Sequence, residues 1–137
     1  MSKDRSLSTA IHILAILGFH NSELISSEYI AKGIKTNAGL IRRLLIKLSD
    51  AGLVISVKGK GGGSRLAKPT HKISLEDIYM AINESPLFGS FDKEPLDICH
   101  ISCNMKGALN QIYGDLEDGL KKDMSKVKLS GIMKDLE

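Results

Sequence analysis

Residues 53–69 read LVISVKGKGGGSRLAKP, an apolar run followed by a stretch of glycines and cations. The apolar run at 53–57 favours a β-strand, and residues 64–67 favour a second strand that returns beside it. The intervening KGKGGG then predicts the tip of a β-hairpin. A nucleotide-binding loop would need glycine amides that converge on the start of a helix, whereas these glycines lead into SRLAKP. The stretch therefore predicts a basic hairpin, and a flexible solvated turn is the alternative.

Apolar residues at helical spacing predict a first helix over residues 6–20. Apolar side chains occur on two sides of it, so we expect it to be buried or to meet a partner subunit. Ser26 or Ser27 can cap a short second helix, SEYIAKG. This helix places Ile30 and Ala31 inward.

A third helix is predicted from a cap at Thr36 to about Ala51, ended by Gly52. Its predicted inner face consists of Leu40, Ile41, Leu44, Leu48 and Ala51. Ala38, Gly39, Arg42 and Arg43 would then lie on the outer side of its first two turns. Two short helices, the second with exposed cations, are typical of a helix-turn-helix, and an ordinary helical hairpin is the alternative.

A helix-turn-helix followed by a basic hairpin is a winged helix. Charge supports a DNA ligand, because residues 1–72 hold 12 Lys or Arg against 4 Asp or Glu, a net of +8, whereas residues 73–137 have a net of −5. Cations on the third helix and the hairpin are suited to phosphates, base edges and a narrow minor groove. The residues predicted to contact double-stranded DNA are Thr36, Asn37, Ala38, Arg42, Arg43, Lys58, Lys60 and Arg65.

Residues 40–82 resemble the Rrf-type winged-helix regulators, typified by the iron–sulfur regulator IscR, the nitric-oxide sensor NsrR and the cysteine regulator CymR. The match lies in Leu48, AGLV at 51–54, Gly59, the glycines at 62–63, LAK at 66–68 and ISLEDI at 73–78. Lys58 stands where the family has a wing arginine that reads the minor groove in some members, and Ser64 stands where it has an aromatic residue. The stretch TNAGLIRR is similar to the YwnA-like subgroup, whose members generally lack a cluster.

The acidic second half predicts oligomerisation. Ser74 and Asp77 resemble a capping box for a helix through about Asn83. An apolar stripe then predicts one long helix from about Asn104 to Lys126, with a last short helical turn at 130–136. The resemblance implies that the long helix forms a homodimer, and packing onto its own domain is the alternative. The stripe consists of Met105, Leu109, Ile112, Leu116, Leu120 and Val127, with Ala108 and Tyr113 alongside.

The predicted fold class is mainly α with a small β-hairpin wing, a winged helix-turn-helix followed by a long C-terminal dimerisation helix. The predicted domains are a DNA-binding domain over residues 1–83, a loop over 84–104, and a dimerisation helix and tail over 105–137.

The motif CHISC at residues 99–103 holds both cysteines of the chain. Relatives that bind a cluster supply three cysteines in this loop, and a cluster needs about four ligands, chiefly thiolates. Cys99, Cys103 and His100 fall short of that number, so no iron–sulfur cluster is expected and no metal ligand is assigned. The alternatives that remain are ordinary thiols, a redox pair of Cys99 and Cys103, and a metal site of these two cysteines and His100, within one chain or shared across a dimer.

Other classes of function have little support in the sequence. No spacing of Ser, His and Asp and no carboxylate pair stands out, so an enzyme is not expected and no catalytic residue is assigned. We expect His12 to be packed in the core or an interface. Without a leader or a membrane-spanning run, a cytoplasmic protein is expected. No small-molecule ligand is identifiable. The sequence predicts a homodimeric transcriptional repressor, and a winged-helix adaptor that binds another protein is the alternative.

Overall fold

The computed structural model describes residues 5–83, residue 88 and residues 100–136, and helices make up most of them. The predicted fold class is confirmed. In chain order the elements are α1 (Ser6–Phe19), α2 (Ser27–Ile34), α3 (Ala38–Asp50), β1 (Val54–Val57), β2 (Gly63–Leu66), a 3-10 turn (Thr70–Lys72), α4 (Leu75–Ile82), α5 (His100–Ser125) and α6 (Leu129–Lys134). No helix among the described residues is long and apolar enough to cross a membrane.

The hydrophobic core lies where α1 meets α2, α3, α4 and the hairpin. Helix α1 buries apolar residues on more than one side, as its sequence predicts, because it passes through the middle of the domain. Residues on α1 that are buried are Ala10, Ile13, Leu14, Ala15 and Leu17. His12 is exposed on this helix, so it does not lie in the core, and its alternative place in an interface stays a prediction.

Polar caps set the ends of the two helices of the helix-turn-helix. The Ser26 side chain accepts a hydrogen bond from the Tyr29 backbone N–H and caps α2, as predicted. Asn37, and not Thr36, caps α3, because its side-chain oxygen accepts from the Leu40 N–H at 3.0 Å. The Thr36 N–H instead donates to the Ala31 carbonyl and closes the end of α2.

The inner face of α3 is rotated from the prediction. Its buried residues are Ile41, Leu44, Leu45 and Leu48. Leu40 is half-buried and Ala51 is exposed, so their assignment to the inner face is only partly right for Leu40 and wrong for Ala51. The reason for Ala51 is that the helix ends at Asp50, after which the chain turns through Gly52 at a positive φ of 79°.

The hairpin is an antiparallel pair in which Val54 faces Leu66 and Val57 faces Gly63. Ile25, just before α2, pairs with Ser64 through two backbone hydrogen bonds of 2.9 Å. The Ser64 hydroxyl, in the place of the family's aromatic residue, is buried and lies 3.0 Å from the Ser56 hydroxyl on β1. The wing is therefore tied to the helix-turn-helix by backbone hydrogen bonds.

The C-terminal half of the chain packs against the winged helix. The capping box of Ser74 and Asp77 is confirmed at the start of α4. Helix α5 begins at His100, four residues before the predicted Asn104, so the predicted loop over 84–104 extends too far at its end. The rest of that predicted loop, residues 84–87 and 89–99, lies outside the described residues. After α5, the Leu129 N–H donates to the Ile73 carbonyl at 2.8 Å, and its side chain is 0% exposed. Helix α6 therefore packs into the core of the winged helix.

Helix α5 is held against α4 by a hydrogen bond of 2.8 Å from the Tyr79 hydroxyl to the Glu117 carboxylate. Tyr79 is buried, and burial together with the bond to Glu117 raises its pKa to about 12. A phenol whose pKa is raised on folding stabilises the fold fully below its unfolded pKa, and this contribution is lost as the pH rises through the folded value.

We expect Tyr79→Phe to lower the free energy of unfolding at neutral pH by about 0.5–1.5 kcal/mol, since it removes this hydrogen bond. The difference from the wild type should shrink as the pH rises from 10 towards 12. Urea unfolding at several pH values measures it. Tyr29→Phe is the matched control, because the Tyr29 hydroxyl is exposed and lies 3.3 Å from His20 Nε2. Equal effects of the two substitutions would contradict the role of Glu117.

Candidate nucleic-acid interface

A groove of about 770 Å³ runs between the start of α2, the outer side of α3 and the hairpin. Arg42 on α3 and Lys58 at the end of β1 both line it, together with the glycines of the turn. The structure thus brings together one predicted cation of the third helix and one of the wing. Glu28, Ile46 and Asp50 also line this groove, and sequence reasoning assigned none of them to the site.

Arg42 is paired across this groove. Its Nη2 lies 2.9 Å from Glu28 Oε1, although the two residues are fourteen apart in the sequence. The pKa of Glu28 lies below its ordinary value, because its own backbone N–H and then the Arg42 guanidinium donate hydrogen bonds to the carboxylate. Both side chains are more than half exposed, at 57% for Arg42 and 65% for Glu28. Glu28 is therefore ionised at neutral pH, and Asp50 is a second carboxylate in the lining of the groove.

The remaining residues of the helix-turn-helix that are predicted to contact DNA differ in their exposure to solvent. Arg43 is exposed and lies about 100° around α3 from Arg42, since the helix has about 3.6 residues per turn. Asn37 is exposed, and its oxygen is engaged in the cap, so its amide nitrogen is the group left for a ligand. Thr36 is half-buried, and Ala38 is partly buried against the core. Ala38 therefore offers little side-chain surface.

The three wing cations do not lie together. Lys58 lines the groove, and Lys60 is exposed at the turn. Arg65 pairs with Ile55 across the hairpin, next to the pair of Ser56 with Ser64. Because successive residues of a strand point to opposite faces, Arg65 is on the face opposite Ser64, and Ser64 is the one that lines the groove. Arg65 is thus separated from Arg42 and Lys58.

The structure explains why residues 62 and 63 are glycines, which the sequence pattern leaves open. A Cβ at Gly62 would overlap the Val57 carbonyl oxygen, so the turn closes only without a side chain there. A Cβ at Gly63 would lie 2.7 Å from the Ile25 carbonyl oxygen, and the residue has a φ of 157°. These two glycines therefore let the wing close on itself and lie against the segment before α2.

We expect Gly62→Ala to lower the free energy of unfolding by about 1–3 kcal/mol, because the backbone of the turn must shift to remove the overlap. Gly107→Ala is the control, since a Cβ at that helical position meets nothing within 4 Å. The control should raise the stability slightly, because alanine favours a helix over glycine. Thermal or urea unfolding of both variants is the measurement, and an unchanged stability of Gly62→Ala would contradict the described turn.

A second surface lies on α5. One face of this helix packs towards α4, and Met124 at its end is buried. Leu109, Tyr113 and Leu120 are half-buried, and the Tyr113 ring stacks on Phe88. A neighbouring apolar stripe remains exposed and includes Ile101, Ile112 and Leu116. The predicted stripe is thus divided between two faces, and Val127 lies beyond the end of the helix.

The cysteine motif is only partly within the described residues. Cys103 is exposed on the first turns of α5, and His100 begins the helix. Cys99 lies outside the described residues, so the redox pair stays a prediction. Over residues 5–83, 88 and 100–136, no group of three or more His, Cys, Asp or Glu side chains is placed to hold a metal ion.

The arrangement of helix-turn-helix, wing and long helix matches a known family over nearly the whole chain. A family model described as Rrf2, iron-dependent transcriptional regulator, matches residues 4–135. The chain belongs to the Rrf2 family. It is therefore a DNA-binding transcriptional regulator, and the resemblance drawn from residues 40–82 is confirmed.

Individual members of the Rrf2 family are also similar to this chain over nearly its whole length. The chain is 28% identical to YwnA of Bacillus subtilis, assigned as an HTH-type transcriptional regulator, over 95% of this chain and 96% of that protein. It is 28% identical to the HTH-type transcriptional regulator NsrR of Oceanobacillus iheyensis, over 91% of this chain and 93% of that protein. The structure of CymR, the global cysteine regulator of B. subtilis, has a TM-score of 0.69 and 18% identity, and covers 98% of this chain and 97% of that one. At that identity the likeness shows the fold alone.

The description of the Rrf2 family raises the question of iron. An iron–sulfur cluster takes about four ligands, chiefly cysteine thiolates, and this chain has two cysteines. Cys103 is exposed on α5, with His100 three residues before it as an added imidazole. The metal-ligating side chains of one chain therefore do not fit an iron–sulfur cluster.

Proposed function

We propose that this Rrf2 regulator acts in the cytoplasm as a homodimeric repressor that binds an inverted-repeat operator. The observation that carries the proposal is the groove in which Arg42 of α3, the proposed recognition helix, and Lys58 of the wing lie together. Cations that lie together on a helix-turn-helix and a wing are suited to a DNA backbone and to the base edges beyond it. A dimer bound over a promoter represses by covering it.

The cations of the site divide into two roles in this proposal. Arg42 reads base edges, because the bond to Glu28 uses Nη2 and a guanidinium has five N–H donors. An arginine of this kind commonly donates two hydrogen bonds to guanine O6 and N7. Arg43, Lys60 and Arg65 contact phosphates, which position the protein but carry no sequence information. Lys58 enters the adjacent minor groove from the wing, in the place of the arginine that does so in some members of the family.

The exposed stripe of α5 supports the homodimer. Ile112 and Leu116 are half exposed and one turn apart, and Ile101 extends the stripe towards the start of the helix. Exposed apolar stripes of this kind mark a surface that meets a partner. A symmetric pair of α5 helices would place two recognition helices on one face of DNA, which accounts for an inverted repeat.

Binding to random-sequence DNA at low salt tests the proposal against an adaptor. A regulator of this kind should bind random duplex with an affinity that falls steeply with salt, with a log–log slope of about −0.9 for each phosphate neutralised. A winged-helix adaptor that acts by binding another protein should show little affinity. A flat salt response would contradict a DNA-binding surface.

We expect Lys60→Ala to weaken binding to all sequences about equally and to make the salt slope shallower. The change should be about 0.9 per subunit, since one phosphate contact is lost in each. Lys134→Ala is the matched control, because this exposed lysine lies at the end of α6 and outside the groove. Fluorescence anisotropy at several salt concentrations measures both slopes. Equal slopes for the two variants would remove Lys60 from the interface.

A further inference from the structure

A carboxylate stands inside the proposed DNA-binding groove. Glu28 is the second residue of α2, where a negative charge is favourable because it faces the positive end of the helix. That position explains why an acidic residue is tolerated there. It does not explain why the side chain reaches across the groove to Arg42 on another helix.

The ion pair contributes little to the stability of the fold. Pairs between exposed side chains typically contribute little, since water and salt screen them. Both partners here are more than half exposed. The ion pair should therefore have its main effect when a bound ligand excludes water from it, because a hydrogen bond between charged groups is stronger in a dry interface.

The geometry points to Glu28 as a specificity-determining residue that holds Arg42 for a base edge and excludes phosphates from the groove. This inference rests on the proposed function of the groove. Glu28 accepts from one nitrogen of the guanidinium, which leaves other N–H donors of Arg42 for a base. An arginine held in place loses less conformational freedom when it meets its base.

The Glu28 carboxylate also disfavours the binding of phosphates in the groove. Without it, Asp50 would be the remaining carboxylate of the groove lining beside the cations Arg42 and Lys58, and phosphates of any sequence could fill the groove more readily. With it, a phosphate that enters the groove meets a like charge, whereas a guanine edge with two acceptor atoms does not. The acidic residue thus lowers the affinity for random DNA more than that for the operator.

The substitution Glu28→Gln keeps the size of the side chain and its acceptor oxygen and removes the charge. The probes are a duplex recovered by selection from genomic fragments and a scrambled duplex of the same length and composition. We expect Glu28→Gln to bind the scrambled duplex more tightly and to lower the ratio of operator to scrambled affinity by about tenfold. In a background of Arg42→Ala, the same change should alter the ratio less than about twofold, since its partner is absent.

Glu23→Gln is the matched control, because it makes the same change of net charge at an exposed position ahead of α2 and outside the groove. Thermal unfolding of each variant confirms that the fold is retained, as expected for exposed positions. An unchanged ratio in Glu28→Gln, or an equal fall in Glu23→Gln, would overturn the inference. A wild-type protein with no preference for the selected duplex would instead overturn the proposed function itself.

Discussion

Replacing Ile112 and Leu116 together with glutamine is expected to convert the proposed dimer into monomers and to lower operator affinity by at least about 100-fold. Full burial of one such apolar side chain contributes about 1.5–3 kcal/mol, and a symmetric interface loses both residues twice. The two side chains are 52% and 51% exposed in the single chain, so their replacement should leave the fold intact. Analytical ultracentrifugation and binding to the operator duplex are the measurements.

Met80→Gln is the control for this prediction. Met80 lies on α4 and is 54% exposed, so the change removes a comparable apolar surface away from the α5 stripe. It should leave the protein dimeric. A double variant that remains dimeric and binds the operator normally would show that the dimer uses a surface other than the exposed stripe of α5.

Removing the two recognition-helix arginines one at a time should have different results. Arg42→Ala is expected to cost about 1–3 kcal/mol on the operator and much less on scrambled DNA, because a base contact is lost. Arg43→Ala should weaken both about equally and make the salt slope shallower, because it lies about 100° around the helix and is proposed to contact phosphate. Competition binding on the two duplexes measures the difference.

The matched control for the arginine pair is Lys47→Ala, which removes a cation from the last turn of the same helix, away from the first turns that are proposed to face DNA. It should change the ratio of operator to scrambled affinity by less than about twofold. Equal losses on both duplexes for Arg42→Ala and Arg43→Ala would contradict base reading by Arg42.

Local patterns predicted much of the fold because the interactions that fix them are local. The Ser74 and Asp77 capping box joins residues three apart, and the wing follows from a glycine-rich turn between two short strands. The cap of α3 was placed one residue early, at Thr36, since Thr and Asn are both good capping residues. The backbone alone decides between them, and it gives Asn37 the extended conformation that a cap requires.

Features that depend on distant parts of the chain were not predictable in this way. Glu28 and Arg42 meet because α2 and α3 cross, and no spacing in the sequence indicates that pair. The only signal was that Glu28 is one of four acidic residues in the basic half. Likewise Leu129 enters the core because the chain after α5 returns along Ile73, which the helical pattern of residues 130–136 does not reveal.

Selection of bound fragments from genomic DNA, followed by footprinting and the stoichiometry of the complex, tests the central claim most directly. The account predicts an inverted repeat whose half-sites are about one helical turn or a multiple of it apart, bound by two chains. It also predicts an affinity that falls steeply as salt is raised. Recovery of a single, unrepeated half-site bound tightly by one chain, or of no enriched sequence at all, would contradict it.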